Sequence, residues 1–272
     1  MTSNMSDAVS NTTMEALRKA DIIVQSLIFS IGMPAVSLAC YTIIRLVRVD
    51  HTTPVYVINL LVSDFLQLLI RPLLIKRVLE RKDNNLSARH FVFLLGVFGS
   101  IGFMLCITVE RYVAVARPLW YQQRHTIKCS ILICLVVWIL TLTITLLNEF
   151  LMFPQQLNIR VYFMNAVFSL LLFVCLVICY LRTQRAVRSV QSLPDEEKKR
   201  ILNLLGMVVG TYGVLFLPLC ILSFYIYIVK RFFFIPMYFA SLLVQLNPMM
   251  DPFLYIFIRR DVNVRGHCCV TP

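Results

Sequence analysis

The residues with the clearest chemistry form a triplet, Glu110-Arg111-Tyr112, at the end of a long apolar run and just before a basic stretch. A Glu-Arg pair at the edge of a membrane is costly unless the charges neutralise each other or reach water. A lone Arg there would be read as an interfacial side chain that extends to lipid headgroups. This pair ends the third of seven apolar segments, on the predicted inner side, and that position favours a functional role.

Two further carboxylates, Asp64 and Asp251, lie deep within the second and seventh apolar segments. At that depth a carboxylate needs a cation, a shared proton or strong hydrogen bonds. Neither residue stands in the Gly-x-Gly-Asp context of an aspartyl intramembrane protease. The chain also lacks a His-Glu-x-x-His zinc motif and a Gly-rich phosphate loop. We therefore predict that the protein is not an enzyme.

Membrane-spanning helices must position these residues, because the chain is 59% hydrophobic and only 15% charged. About 20 apolar residues are needed to cross the hydrocarbon core as a helix, and continuous rather than alternating apolar runs indicate helices. The predicted fold is an all-α membrane protein, a seven-transmembrane helix bundle. Its predicted segments are Ile22–Val47, Val55–Leu79, Phe91–Ala116, Ser130–Phe153, Val161–Leu181, Ile201–Val229 and Phe232–Ile258.

The distribution of positive charge predicts that the N-terminus is extracellular and the C-terminus cytoplasmic. With that orientation, 15 of the 26 Lys and Arg residues fall on the inner side. Three glycosylation sequons, at Asn4, Asn11 and Asn85, then fall outside. Residues 1–21 are polar and lack the apolar core of a cleavable signal peptide. We predict three parts in a plasma-membrane protein: a glycosylated N-terminus (1–21), a seven-transmembrane domain (22–258) and a cytoplasmic tail (259–272) with an amphipathic surface helix.

Cysteine usage predicts no outer disulfide and one lipid anchor. Seven cysteines lie within the segments or at their inner ends, where they act as small apolar side chains. Cys268-Cys269 follow a short basic stretch after the last segment, where S-palmitoylation would anchor a surface helix. An unmodified pair in the tail is the alternative.

Several motifs in the expected segments give the chain its family resemblance. Trp138 lies in the middle of the fourth segment, Tyr180 low in the fifth, and Leu215-Phe216-Leu217-Pro218 in the sixth. Asn247-Pro248-Met249-Met250-Asp251-Pro252-Phe253-Leu254-Tyr255 closes the seventh. Together with Glu110-Arg111-Tyr112, this order resembles the rhodopsin-like (class A) G-protein-coupled receptors over nearly the whole chain. Phe216 and Asp251 resemble the branch of nucleotide, protease-activated, lysophospholipid and Mas-related receptors.

The resemblance implies roles for individual residues in activation. Arg111 would leave Glu110 and contact the heterotrimeric G protein, and Leu119 would insert into its Gα subunit. The remaining switch residues would be Tyr112, Tyr180, Phe216, Pro218, Asp251, Pro252 and Tyr255. An internal sodium ion, the only cofactor expected, would be held by Asp64, Ser100, Asn247 and Asp251.

The chain also departs from the family pattern. Val36 replaces an Asn in the first segment, Leu172 replaces a Pro in the fifth, and Leu86 stands where most members have a disulfide-bonded Cys. Lys198 replaces the acid that locks the matching Arg in some members. We therefore expect some basal activity.

The predicted ligand pocket is apolar and aromatic beneath a basic rim. It is expected to contain Phe93, Val97, Phe98, Phe216, Leu219, Tyr238, Ser241 and Gln245, with Arg71 and Arg77 above. Because Arg suits bidentate capture of carboxylate or phosphate, the predicted ligand is an anionic amphiphile such as a lysophospholipid or fatty-acid derivative. Most of the rim charges have the alternative role of lipid anchors. Arg71 is the deepest, and Glu149 or a ligand acid is its expected partner.

Other functions remain open at this stage. A peptide ligand would suit the acidic residues near the outer face, and a receptor-like protein that no longer signals would explain the lost family residues. A transporter or channel is disfavoured because we find no internal repeats. The expected partners are a heterotrimeric G protein, membrane lipids and an extracellular ligand, with no nucleic acid.

Overall fold

The computed structural model describes residues 2–47, 54–80, 86–124, 126–152, 159–190 and 194–252, and these residues are almost entirely helical. The helices are α1 (Thr2–Val47), α2 (Pro54–Leu69), α3 (Arg71–Glu80), α4 (Leu86–Ala116), α5 (Pro118–Arg124), α6 (Ile127–Met152), α7 (Ile159–Ser189), α8 (Asp195–Val229) and α9 (Phe234–Gln245). The predicted all-helical membrane bundle is thereby confirmed.

Six stretches of the described chain are long and apolar enough to cross a membrane. They correspond to the first six predicted segments. The seventh is described as α9 and, after a turn at Leu246, as helical residues 247–252. Pro248 explains the interruption because it has no N–H with which to continue the helix. Tyr255, Cys268, Cys269 and the predicted surface helix lie outside the described residues.

The second predicted segment is not one continuous helix, which corrects the prediction for Val55–Leu79. It breaks at Ile70 between α2 and α3, because Pro72 lacks the N–H that would bond to the carbonyl of Leu68. Regular bonding resumes with Leu74 N–H donating to Ile70 O at 3.1 Å. The break leaves Arg71 at the first position of α3, with its side chain fully buried.

Several helices are longer than their apolar segments. The polar N-terminal stretch continues into α1, and both Asn4 and Asn11 lie within that helix. At the other end of the bundle, α8 begins at Asp195 because three acidic residues occupy its first turn and stabilise the positive end of the helix dipole. The short helix α5 was not predicted.

Helix α4 lies at the centre of the bundle and contacts α2, α6, α7 and α8. Its approach to α2 is close because Gly96 has no side chain. A Cβ at Gly96 would lie 2.6 Å from Gln67 Cγ and 2.9 Å from the Ser63 carbonyl oxygen. Small residues are the usual means of bringing membrane helices together.

A tryptophan hydrogen bond joins α6 to α2. Asn59 Nδ2 donates to Val55 O at 2.8 Å, which leaves Asn59 Oδ1 to accept from Trp138 Nε1 at 2.9 Å. The Trp138 ring also contacts Phe103, with 5.4 Å between ring centroids. The bond and the ring contact together fix α6 against the centre of the bundle.

We expect Trp138→Phe to lower the stability of the purified protein by about 1 kcal/mol, because Asn59 Oδ1 would lose its donor. Thermal unfolding in detergent, followed with a thiol-reactive dye, measures this change as a lower Tm. The control is Leu140→Phe, at an exposed position of the same helix, which should leave Tm unchanged. Equal Tm values for the two variants would contradict the assignment.

Candidate functional site

A cavity of about 490 Å³ lies among α4, α6, α7, α8 and α9. Its size is typical of small-molecule sites. All eight residues predicted for the apolar, aromatic pocket line it: Phe93, Val97, Phe98, Phe216, Leu219, Tyr238, Ser241 and Gln245. Arg71 is not in the lining, and the side chain of Arg77 lies outside the described part. The predicted apolar, aromatic cavity therefore exists as a space, and its occupancy by a ligand stays a prediction.

Arg71 lies directly behind the cavity wall and joins three helices. Its Nη1 donates to Gln25 Oε1 at 2.5 Å and to Gln245 Oε1 at 2.7 Å, and its Nη2 donates to the Gln245 backbone oxygen at 3.0 Å. Gln25 Nε2 donates to Gln245 Oε1 in turn. The guanidinium carbon lies 5.5 Å from the centre of the Phe93 ring. We call Gln25, Arg71 and Gln245 the arginine clasp.

The arginine clasp contains a buried charge whose direct hydrogen bonds are all to amide oxygens. Among the described residues, no carboxylate forms an ion pair with Arg71, and its Nε has no hydrogen-bond partner there. Asp21 lies close enough to act on Arg71 as a nearby negative charge, and it accepts a hydrogen bond from Gln25 Nε2 at 3.3 Å rather than from Arg71 itself. The expectation that Glu149 is the partner of Arg71 is wrong, because Glu149 Oε1 lies 2.6 Å from His90 Nδ1 instead.

The rest of the predicted basic rim is more exposed than Arg71. The side chains of Lys76, Arg160 and Arg231 are exposed, and Arg89 is partly buried. Lys230 ends α8 in the left-handed conformation, with φ of 58°, and its Nζ lies 3.5 Å from the centre of the Tyr227 ring. Most of these charges are therefore placed to meet water or lipid headgroups.

A second polar wall of the cavity comes from α6 and α7. Asn165 Nδ2 donates to Asn148 Oδ1 at 2.6 Å, and Asn148 Nδ2 donates to the backbone oxygen of Ile144 at 2.9 Å. Asn148, Asn165 and His90 all line the cavity. The two asparagines were not predicted as pocket residues, although polar residues inside apolar segments were the available signal.

Phe216, the predicted switch, lies beside the cavity and is connected to α7 through Tyr212. The rings of Tyr212 and Phe216 stack with 4.7 Å between centroids. The Tyr212 hydroxyl donates to the Ser169 carbonyl oxygen at 2.7 Å and lies 2.6 Å from Ser169 Oγ. Ser169 also lines the cavity, so a ligand there would contact both ends of this link.

The predicted sodium residues lie together in the core. Asn247 Nδ2 donates to Ser100 Oγ at 2.7 Å, and Ser100 Oγ donates to Asp251 Oδ2 at 3.1 Å. Asp64 hydrogen-bonds to Asp251 as well, and all four side chains are fully buried. Two carboxyl groups in contact need a shared proton or a cation between them. Within the described part of the chain, Asp251 Oδ1 and Asn247 Oδ1 have no hydrogen-bond partner, and these acceptors fit a hard cation.

The Glu-Arg-Tyr triplet lies at the far end of α4 beside α5. Glu110 and Arg111 are only 7% and 8% exposed, and Glu110 Oε1 accepts a hydrogen bond from the Tyr121 hydroxyl at 2.9 Å. Leu119, also on α5, is 75% exposed. The side chains of Tyr112 and Tyr180 are partly buried, while Pro218 lies within α8. The Tyr121 contact was missed because α5 itself was not predicted.

Comparison with known proteins places this architecture in one family. Residues 37–255 match the model of the 7 transmembrane receptor (rhodopsin family). Human G-protein coupled receptor 68 is 27% identical, over 98% of this chain and 81% of its own length. Rat proteinase-activated receptor 2 is 25% identical, over 88% of this chain and 68% of its own length. Human G-protein coupled receptor 183 is 26% identical, over 85% of this chain and 75% of its own length. The chain is therefore a multi-pass membrane receptor rather than an enzyme, and it belongs to the rhodopsin family of seven-transmembrane receptors.

Proposed function

We propose that this receptor binds an extracellular anionic amphiphile in the 490 Å³ cavity and responds by activating a heterotrimeric G protein. The observation that carries the proposal is Arg71, a fully buried cation whose direct hydrogen bonds are all to the amides of Gln25 and Gln245. A buried charge without a directly bonded counter-charge costs several kcal/mol. A ligand acid would supply that counter-charge.

The position of Arg71 supports capture of an acid from the cavity. Gln245 and Phe93 both contact Arg71 and both line the cavity. If the Gln245 side chain rotates away, it frees Nη1 for a ligand oxygen, and a carboxylate or phosphate can then form charge-assisted bonds with the guanidinium. The neutral amide oxygen that it displaces is the weaker acceptor.

The remaining lining supports an apolar body for the ligand. Phe93, Val97, Phe98, Phe216 and Leu219 are among the apolar side chains that such a body would meet. Burial of hydrocarbon against these side chains contributes about 0.8 kcal/mol per methylene group. A fatty-acid derivative or a lysophospholipid combines both features, so these are the proposed ligand classes.

Signal transmission is proposed to run from the cavity to the inner end of α4. Ligand contact with Phe216 and Ser169 would shift the stacked Tyr212 and change the packing of α8 against α7. Movement of α8 would expose Arg111 to the G protein, with Leu119 contacting the Gα subunit. Asp64, Ser100, Asn247 and Asp251 would hold a sodium ion, with the carboxylates supplying its counter-charge. The cation would thereby stabilise the buried carboxylates of the resting form.

Three further assignments accompany the proposal. The N-terminus is extracellular and the C-terminus cytoplasmic in the plasma membrane. Asn4, Asn11 and Asn85 carry glycans, and Cys268 and Cys269 carry palmitate that anchors the tail to membrane lipids. The structure describes none of the side chains concerned.

The test is G-protein activation in cells that express the receptor, read with a panel of Gα activation sensors at matched surface expression. The probes are oleic acid and oleoyl lysophosphatidic acid, with methyl oleate and monooleoylglycerol as neutral counterparts. We expect only the acids to activate, because only they neutralise Arg71. Equal potency of acids and neutral compounds would overturn the anionic ligand, and so would a response to none of the four probes.

A further inference from the structure

We infer that the wall formed by α6 and α7 is a second recognition subsite, centred on Asn165, for a hydroxyl group carried on the apolar body of the ligand. This inference rests on the proposed function, because it concerns the same cavity and the same amphiphile. It adds a requirement that the acid and the hydrocarbon chain do not supply. The ligand class becomes a hydroxylated anionic amphiphile.

The hydrogen bonds of the wall fix which atoms Asn165 offers to the cavity. The Ile144 backbone oxygen can only accept, so Asn148 must direct its Nδ2 towards it, at 2.9 Å. Asn148 Oδ1 is thereby directed to Asn165, whose Nδ2 donates to it at 2.6 Å. A reversed Asn165 amide would place two carbonyl oxygens against each other. Asn165 therefore keeps its Oδ1 and one N–H for other partners.

Burial makes this arrangement rigid. Asn148 is only 6% exposed, so the amide that orients Asn165 has little freedom to turn. Asn165 itself is partly buried and lines the cavity. A carbonyl oxygen held at the edge of a mostly apolar cavity discriminates strongly between ligands, because a ligand without a donor leaves it unsatisfied after water is expelled.

The two serines near this wall already have hydrogen-bond partners. Ser169 bonds with the Tyr212 hydroxyl, and Ser223 Oγ donates to the Leu219 carbonyl oxygen at 2.7 Å. Asn165 retains both a donor and an acceptor that a ligand in the cavity can use. A hydroxyl group fits both of them, because it donates and accepts at once.

The same chemistry determines which end of the ligand binds where. A carboxylate only accepts hydrogen bonds, so it would meet repulsion at Asn165 Oδ1 and attraction at Arg71. Asn165 lies on α7, whereas Gln245, which contacts Arg71, lies on α9. The acid and the hydroxyl must therefore be separated by a hydrocarbon segment that crosses the apolar part of the cavity.

The experiment compares hexadecanoic acid with a series of monohydroxy hexadecanoic acids that carry the hydroxyl on successive chain carbons. Binding to the purified receptor is measured as the concentration dependence of the Tm shift. The variants are Asn165→Ala and Met164→Ala, the latter at an exposed position of the same helix. We expect the acids with the hydroxyl on one chain carbon, or on two adjacent ones, to bind the wild-type receptor about fivefold to tenfold more tightly than the parent acid. Asn165→Ala should lose that advantage and still bind the parent acid, whereas Met164→Ala should keep both.

The outcomes separate this inference from the proposed function. If no hydroxyl position improves binding, or if the advantage survives in Asn165→Ala, the subsite is wrong while the acid site stands. If hydroxylated methyl esters bind through Asn165 and the acids gain nothing from their charge, the subsite stands and the anionic ligand fails. If no member of the series binds wild type, both are overturned. Asn165→Leu, an apolar replacement of similar volume, takes the place of Asn165→Ala if that variant does not fold.

Discussion

Arg71→Met is expected to weaken the response to oleic acid by roughly 100-fold or more, because the ligand acid would lose its buried cationic partner. The same substitution should leave the thermal stability of the ligand-free receptor unchanged or slightly higher. Met removes a buried charge that has no direct carboxylate partner, and such replacements are often neutral or stabilising. Gln25 and Gln245 keep their bond to each other. Concentration–response curves and unfolding midpoints measure the two effects separately.

Two control variants make the Arg71 result specific. Arg71→Lys keeps the charge but not the planar guanidinium that can bind an acid through two hydrogen bonds. We therefore expect a loss of potency of about tenfold rather than 100-fold. Arg231→Met removes an exposed charge and should change neither potency nor stability. A large fall in stability with unchanged potency would show that the arginine clasp only holds α1, α3 and α9 together. That result would leave the proposed anionic ligand without its main support.

The sequence was sufficient for the segments and for the residues of the cavity, because both depend on periodic apolar runs. Phe93, Val97 and Phe98 share one face of α4, and that face is what the helical period predicts. The length of α8 was not predictable from hydropathy, since its first turn is charged and is stabilised by the helix dipole rather than by burial. The break at Pro72 was missed because the apolar run continues through it.

The contacts between side chains of the site could not be predicted from the sequence alone. Arg71 and Gln245 were both named, yet they are 174 residues apart, and no spacing rule connects residues on different helices. Gln25 looks like an ordinary polar residue near the start of the first apolar segment until its contact with Arg71 is seen. Asn148 and Asn165 were missed for the same reason. Each is one of several polar residues in a mostly apolar helix, and the two acquire meaning only as a pair.

Arg111→Ala is expected to abolish both basal and ligand-stimulated G-protein activation, whereas Glu110→Gln should raise basal activation. Glu110 lies beside Arg111 and is buried with it, so the carboxylate lowers the energy of the resting position. Neutralising it would remove about 1 kcal/mol, which corresponds to about a fivefold larger active population. Gα activation sensors at matched surface expression, without added ligand, measure both changes.

We expect basal activation of the G protein in the wild type because of Lys198. Lys198 stands where some family members have an acid that holds the matching Arg in its resting position. Its Nζ lies 3.4 Å from Asp195 Oδ1 on the same helix. Lys198 therefore cannot act as a second acid that holds Arg111 in addition to Glu110, and the wild type should signal measurably without ligand. Lys198→Glu should lower that signal, and Lys199→Glu, at an exposed position beside it, should change it less. Wild-type silence that persists in Glu110→Gln and after addition of the acids would mean that the chain no longer signals, because the intact triplet would then have no switch to operate.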